Sequence, residues 1–141
     1  MILIKKFTFE NKPLREKAFE IRHKVFVIGQ NCPKDLEYEF EEESTHFLLF
    51  EDEVPLATAR HRKTEKGFKL ERFAVLETAR RKGYGMQILQ AILHDLKDET
   101  EVKYMHAQQQ VIPFYEKLGF VKEGDIFEEA GIMHYKMTLR K

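Results

Sequence analysis

The chain has 141 residues, with 24 Lys plus Arg balanced by 24 Asp plus Glu, 43% apolar residues and one cysteine. That length suits one domain over 1–141 with a sizeable buried core. The neutral balance argues against a nucleic-acid or anionic-membrane binder, the lone Cys32 excludes an intrachain disulfide, and no apolar run approaches the ~20 residues of a membrane span.

The first nine residues alternate polar and apolar side chains and read as a strand. They lack the long apolar stretch of a signal peptide, so a cytoplasmic location is expected. Cys32 has no electropositive sequence neighbourhood and reads as an incidental thiol. Pro13 opens a helix in which Leu14, Ala18, Ile21 and Val25 fall near helical spacing. The polar, acidic stretch over 28–43 contains Pro33 and predicts a long loop with room for one helical turn. Strands follow over 46–50, 54–63 and 68–76, separated by turns at Glu51-Asp52-Glu53 and over 64–67. Their spacing predicts an antiparallel meander.

The pattern then changes. Ile88, Leu89, Ile92, Leu93 and Leu96 share one face of a helix over 83–96. A short apolar strand over 102–107 comes next, then a short helix over 111–118 that accepts Pro113 in its first turn and stops at Gly119. Alternation over 120–125 and 133–139 predicts a closing pair of strands. The strand–helix–strand unit over 68–107 is long enough for a parallel crossover. The expected fold is therefore α+β in αβα layers: a mixed sheet with helices covering it.

One segment carries chemistry. Arg80-Arg81-Lys82-Gly83-Tyr84-Gly85 lies between the third meander strand and the long helix. Two glycines one residue apart let the backbone approach a ligand closely. The helix that follows presents unpaired N–H groups and the positive end of its dipole, a ready site for phosphate. Arg80, Arg81 and Lys82 add charge-assisted contacts. The loop lacks the Gly-Lys-Ser/Thr of a Walker A loop and the full dinucleotide fingerprint.

The R-x-x-G-x-G loop follows a strand ending Phe73-Ala74-Val75, and Phe114-Tyr115-Glu116-Lys117-Leu118-Gly119-Phe120 comes later. In that order and at that separation, the two segments resemble the GCN5-related N-acetyltransferase (GNAT) superfamily. Ile21-Arg22, Val25-Phe26-Val27, His46, Glu71-Arg72-Phe73-Ala74-Val75, Ala107-Gln108 and Gly131-Ile132 with His134 and Met137 resemble its ElaA/YjcF-like branch, so the likeness covers most of the chain. Gly29-Gln30, Tyr38 and Glu41 depart from residues common in that branch, on the side that borders the acceptor.

The resemblance implies a GNAT-like sheet of about seven strands and acetyl-CoA as cosubstrate, with no metal. It implies that Arg80, Arg81, Lys82, Gly83, Tyr84, Gly85 and Met86 grip the coenzyme pyrophosphate. Phe73, Ala74 and Val75 would run along the pantetheine, with Gln108 and Phe114 beside it. The acceptor would be a primary amine of a small molecule or peptide.

Attack by an amine of ordinary pKa at pH 7 requires about 4.6 kcal/mol of deprotonation, so a base is useful. Glu71 is the first candidate, His134 the second, and His106 a weaker third. Tyr115 is placed by the resemblance to protonate the leaving thiolate. Edge strands near the C-terminus offer a surface for pairing between chains in a homodimer. The alternatives are a non-catalytic acyl-CoA sensor or interaction module, or an acyltransferase with a non-amine acceptor.

Overall fold

A computed structural model describes residues 1–28, 40–129 and 131–139. Cys32, Pro33, Gly29-Gln30, Tyr38 and most of the expected acidic loop lie outside the described residues. The elements run β1 (Ile2–Phe7), α1 (Lys12–Arg22), β2 (Thr45–Glu51), β3 (Val54–Thr64), β4 (Gly67–Val75), α2 (Tyr84–Asp95), β5 (Lys103–Gln108), α3 (Ile112–Glu116), β6 (Phe120–Glu129) and β7 (Ile132–Leu139). All seven strands form one sheet in the order β1-β2-β3-β4-β5-β7-β6. β6 is one of its two edges. The order of strands and helices matches the sequence reading.

The sheet is buried on both faces because the middle of β2, Phe47 to Phe50, is apolar on both sides. Phe47 and Leu49 point to one side, where they pack with Ile88, Leu89 and Ile92 of α2. Leu48 and Phe50 point to the other and meet Ala18 and Ile21 of α1. This two-sided burial produces the expected αβα layers. Asn11 caps α1, its Oδ1 accepting the Leu14 N–H at 3.2 Å. Beyond Arg22 the chain does not break into a loop. It continues to Ile28 in wider, π-type turns, which rotate Val25 and Phe26 toward the sheet. Short 3₁₀ turns at Glu77–Ala79 and Gln109–Val111 precede α2 and α3, and β6 runs four residues past the predicted end at 125.

Two features position the site. First, β4 and β5 are parallel neighbours but pair only at Phe68↔Lys103 and Lys69↔Tyr104. Beyond Lys69 they diverge. Second, β4 carries an extra residue against β3, where Thr58 pairs with Ala74 but Arg60 pairs with Glu71. Arg72 sits in this bulge with φ of 59°, a left-handed conformation that bends the strand at the point of divergence.

The start of the divergence is pinned at Gly67. The Phe68 N–H donates to the Val102 carbonyl at 2.7 Å. Gly67 has φ of +128°, and a β-carbon there would lie 2.2 Å from the Val102 oxygen. Gly67→Ala is therefore expected to destabilise the protein by roughly 2–4 kcal/mol, read as a lower urea midpoint at unchanged m-value.

Candidate active site

The gap between β4 and β5 is a cleft of about 500 Å³. Its walls bring together Glu71, Phe73, Val75, Arg80, Gln108, Tyr115 and His134, which the sequence had singled out, along with His106. Ala74, Arg81, Lys82, Gly83, Tyr84, Gly85, Met86 and Phe114 do not line it. Ala74 faces the opposite core, and Tyr84 packs its ring among the residues under α2. Phe114 packs edge-on against Tyr115, with ring centroids 5.1 Å apart.

The glycine loop forms the rim beyond the cleft. Arg80 donates its Nε–H to the Val75 carbonyl at 3.2 Å, tying the loop to the end of β4. Arg81 and Gly83 take φ of 70° and 78°. Gly83 is the N-cap of α2 and supplies no side chain to cap it. The first-turn N–H groups of this 12-residue helix therefore face outward at its positive end. A β-carbon at Gly83 would meet nothing within 4 Å, and one at Gly85 would reach only Val75 Cγ2, at 3.9 Å. The exposed Lys82 ammonium stands 3.7 Å from Glu51.

Tyr115 is held by rings. Phe73, Phe114 and Phe120 surround it at centroid distances of 6.2, 5.1 and 6.1 Å. Burial pushes its phenol above the ordinary value, so it stays protonated at neutral pH. His134 is also buried, its ring stacked on Phe127. Its Nδ1 lies 2.7 Å from the Ile132 carbonyl. A carbonyl only accepts, so Nδ1 carries a hydrogen, and the tautomer this selects has its lone pair on Nε2.

Glu129, which sequence reasoning missed, stands 4.0 Å from that Nε2 and 3.4 Å from His106 Nδ1. The His106 hydrogen bond, with help from the charge on Lys69, holds Glu129 below its ordinary range despite partial burial. Its sequence neighbourhood, Phe127-Glu128-Glu129, looks like any solvated strand end.

Glu71 is differently placed. Its Oε2 accepts from Arg60 Nε and Arg62 Nε, both at 2.8 Å, and its Oε1 lies 3.3 Å from Lys69 Nζ. Burial pushes its pKa up, but the charges of Arg60, Lys69 and Arg72 and the Arg62 hydrogen bond outweigh that and hold it at about 2. Arg60 also donates to Glu41 at 2.6 Å, and Arg22 forms a two-pronged pair with the same Glu41. His46, quoted above for its likeness to the branch, is stacked on Phe7 and kept neutral by burial. The ion network thus ties α1, β3 and β4 beneath the bulge. Among the described residues, no group of three or more His, Cys, Asp or Glu side chains is placed to hold a metal, and no helix is long and apolar enough to cross a membrane.

The site is thus a splayed parallel pair beside an uncapped, glycine-rich helix start. The model of the acetyltransferase (GNAT) domain matches residues 11–141, and the chain belongs to that family. It is 36% identical to the uncharacterized N-acetyltransferase YjcF of Bacillus subtilis over 131 residues, covering 91% of this chain and 94% of YjcF. The crystal structure of Escherichia coli ElaA has the same fold, with a TM-score of 0.88 at 23% identity over 98% of this chain and 99% of ElaA. So does an acyl-CoA N-acyltransferase from Pseudomonas aeruginosa, with a TM-score of 0.89 at 21% identity over 99% of this chain and all of the other. The chain is thus an acyltransferase of the ElaA/YjcF-like branch.

Proposed function

We propose that the protein transfers the acetyl group of acetyl-CoA directly to a primary amine of a small molecule or peptide. The observation that carries this reading is the early divergence of β4 from β5. It leaves the inner edge of β4 open from Leu70 to Val75, and that edge leads to the glycine loop. An extended pantetheine chain would add to it as a strand adds to a sheet. The pyrophosphate would then meet the N–H groups of Gly83 to Met86, with Arg80, Arg81 and Lys82 around it. Gln108 lies across the cleft from that edge. Acetyl-CoA supplies an activated acyl group with a thiolate leaving group, and the chain's own residues supply orientation and proton transfer.

In this reading His134 Nε2 takes the proton of the attacking amine, directly or through a water. Glu129, 4.0 Å away, stabilises the imidazolium so formed. Backbone N–H groups over 73–75 polarise the thioester oxygen. Tyr115, protonated and walled in by aromatic rings, gives its proton to the departing sulfur. Glu71, with a pKa of about 2 and its oxygens occupied by cations, is a weak base at neutral pH and serves as the anchor of the bulge.

The test is acetyl-dependent thiol release with a panel of amines, run on the parent and on Tyr115→Phe. The variant should lose roughly 100-fold in kcat with little change in coenzyme affinity. Equal turnover of the two proteins would remove Tyr115 from the chemistry. Coenzyme binding without thiol release for any amine would leave a binding module.

A further inference from the structure

The floor of the cleft carries a charge arrangement that the transfer chemistry does not require. Arg62 and Lys69 are directly opposite each other on β3 and β4. Like charges in such cross-strand pairs repel, and each of these side chains is only 12% exposed. Among the described residues, the carboxylate within ion-pair distance of both is Glu71, which Arg60 also holds. Arg60's second partner, Glu41, is shared with Arg22. Glu71 thus answers three cations, Arg60, Arg62 and Lys69. Of these three, Arg62 and Lys69 line the cleft.

Their donors are not used up. Lys69 sits 3.3 Å from Glu71, longer than a full charge-assisted bond, and an ammonium has three donors. Arg62 gives its Nε–H to Glu71 and lays its guanidinium 4.0 Å from the centroid of the Phe40 ring. Across the cleft, on β5 to β7, stand Glu129, His106 and His134. The site is therefore bipolar, with a cationic wall and a wall carrying one carboxylate and two imidazoles.

We propose that the acceptor is an amine that also carries an anionic oxygen group, a carboxylate or a phosphate, received by Lys69 and Arg62 while its amino end lies toward Glu129 and His134. A zwitterion fits such a site. A polyamine would place positive charge against Lys69 and Arg62. This inference rests on the acetyl-transfer reading of the cleft and names its substrate class.

The experiment uses matched probes: β-alanine against β-alaninamide, 2-aminoethyl phosphate against ethanolamine, and spermidine as a polycation. Each is assayed for acetyl-dependent thiol release, and each is titrated by calorimetry into the protein saturated with coenzyme A. The anionic member of at least one pair should exceed its neutral partner about 10–100-fold in kcat/KM. The two pairs distinguish carboxylate from phosphate.

Lys69→Met removes one of two repelling cations and should fold. It should erase the preference while leaving the KM for acetyl-CoA unchanged, and Lys69→Arg should restore it. Preference for the neutral amines or for spermidine would overturn the proposal while sparing the acetyl-transfer reading. So would a Lys69→Met protein that keeps the anionic preference. Anionic probes that bind in a Lys69-dependent way without being acetylated would support the anion site and remove acetyl transfer. Failure of every anionic probe to bind would overturn the anion site.

Discussion

Glu71→Gln is expected to lower the folding stability by about 3–5 kcal/mol, because it leaves buried cations without their shared carboxylate. Arg60 is fully buried, and Arg62 and Lys69 nearly so. A neutral amide can accept a hydrogen bond but cannot offset their charge. That loss is a large share of the 5–15 kcal/mol typical of a domain. The parent protein should show the same dependence through pH. Glu71's folded-state pKa, about 2, lies below its ordinary 4.5, so its contribution is complete above pH 4.5 and is lost as pH falls toward 2. The shift corresponds to about 3 kcal/mol. Glu41, also held below its ordinary range, adds in the same direction.

Urea midpoints measured at pH 7, 4.5 and 3 check both statements. The parent should lose stability mainly below pH 4.5, and the Gln variant should start lower and lose less. The folded fraction of Glu71→Gln should retain turnover within about tenfold. An unchanged urea midpoint with activity down more than 100-fold would mean that Glu71 serves as the base.

The elements that position the site were legible to different degrees. The meander, the amphipathic α2 and the glycine loop follow from alternation, helical spacing and Gly83-x-Gly85, all local patterns. The bulge was not legible. Its left-handed residue is Arg72 rather than glycine or asparagine, so no residue type marks it. The divergence of β4 and β5 also has no composition. The two strands pair over two residues only, and the bulge lies where they part.

The ion network offered half a signal. Arg60 inside the run Ala57-Thr58-Ala59-Arg60 is an odd charge in a buried strand, but its partners Glu41 and Glu71 are chosen in three dimensions. The setting of Glu129 is made by two histidines on β5 and β7, which no spacing along the chain links to it.

Gly85→Leu should separate folding from coenzyme binding more cleanly than any other change in the loop. Gly83 has φ of +78°, so any side chain there strains the backbone and confuses the two effects. Gly85 is an ordinary helical residue of the first turn, and its β-carbon would come no closer to the protein than 3.9 Å. Leucine favours a helix over glycine by about 0.8 kcal/mol, so the melting temperature should hold or rise slightly. The added side chain, however, would fill the approach to the N–H groups of α2. Loss of two charge-assisted hydrogen bonds, at roughly 1.5–3 kcal/mol each, predicts a fall in coenzyme A affinity of about 1,000-fold. Calorimetric titration and a thermal melt on the same sample read both quantities. Undiminished affinity in a well-folded Gly85→Leu protein would place the diphosphate somewhere other than the start of α2.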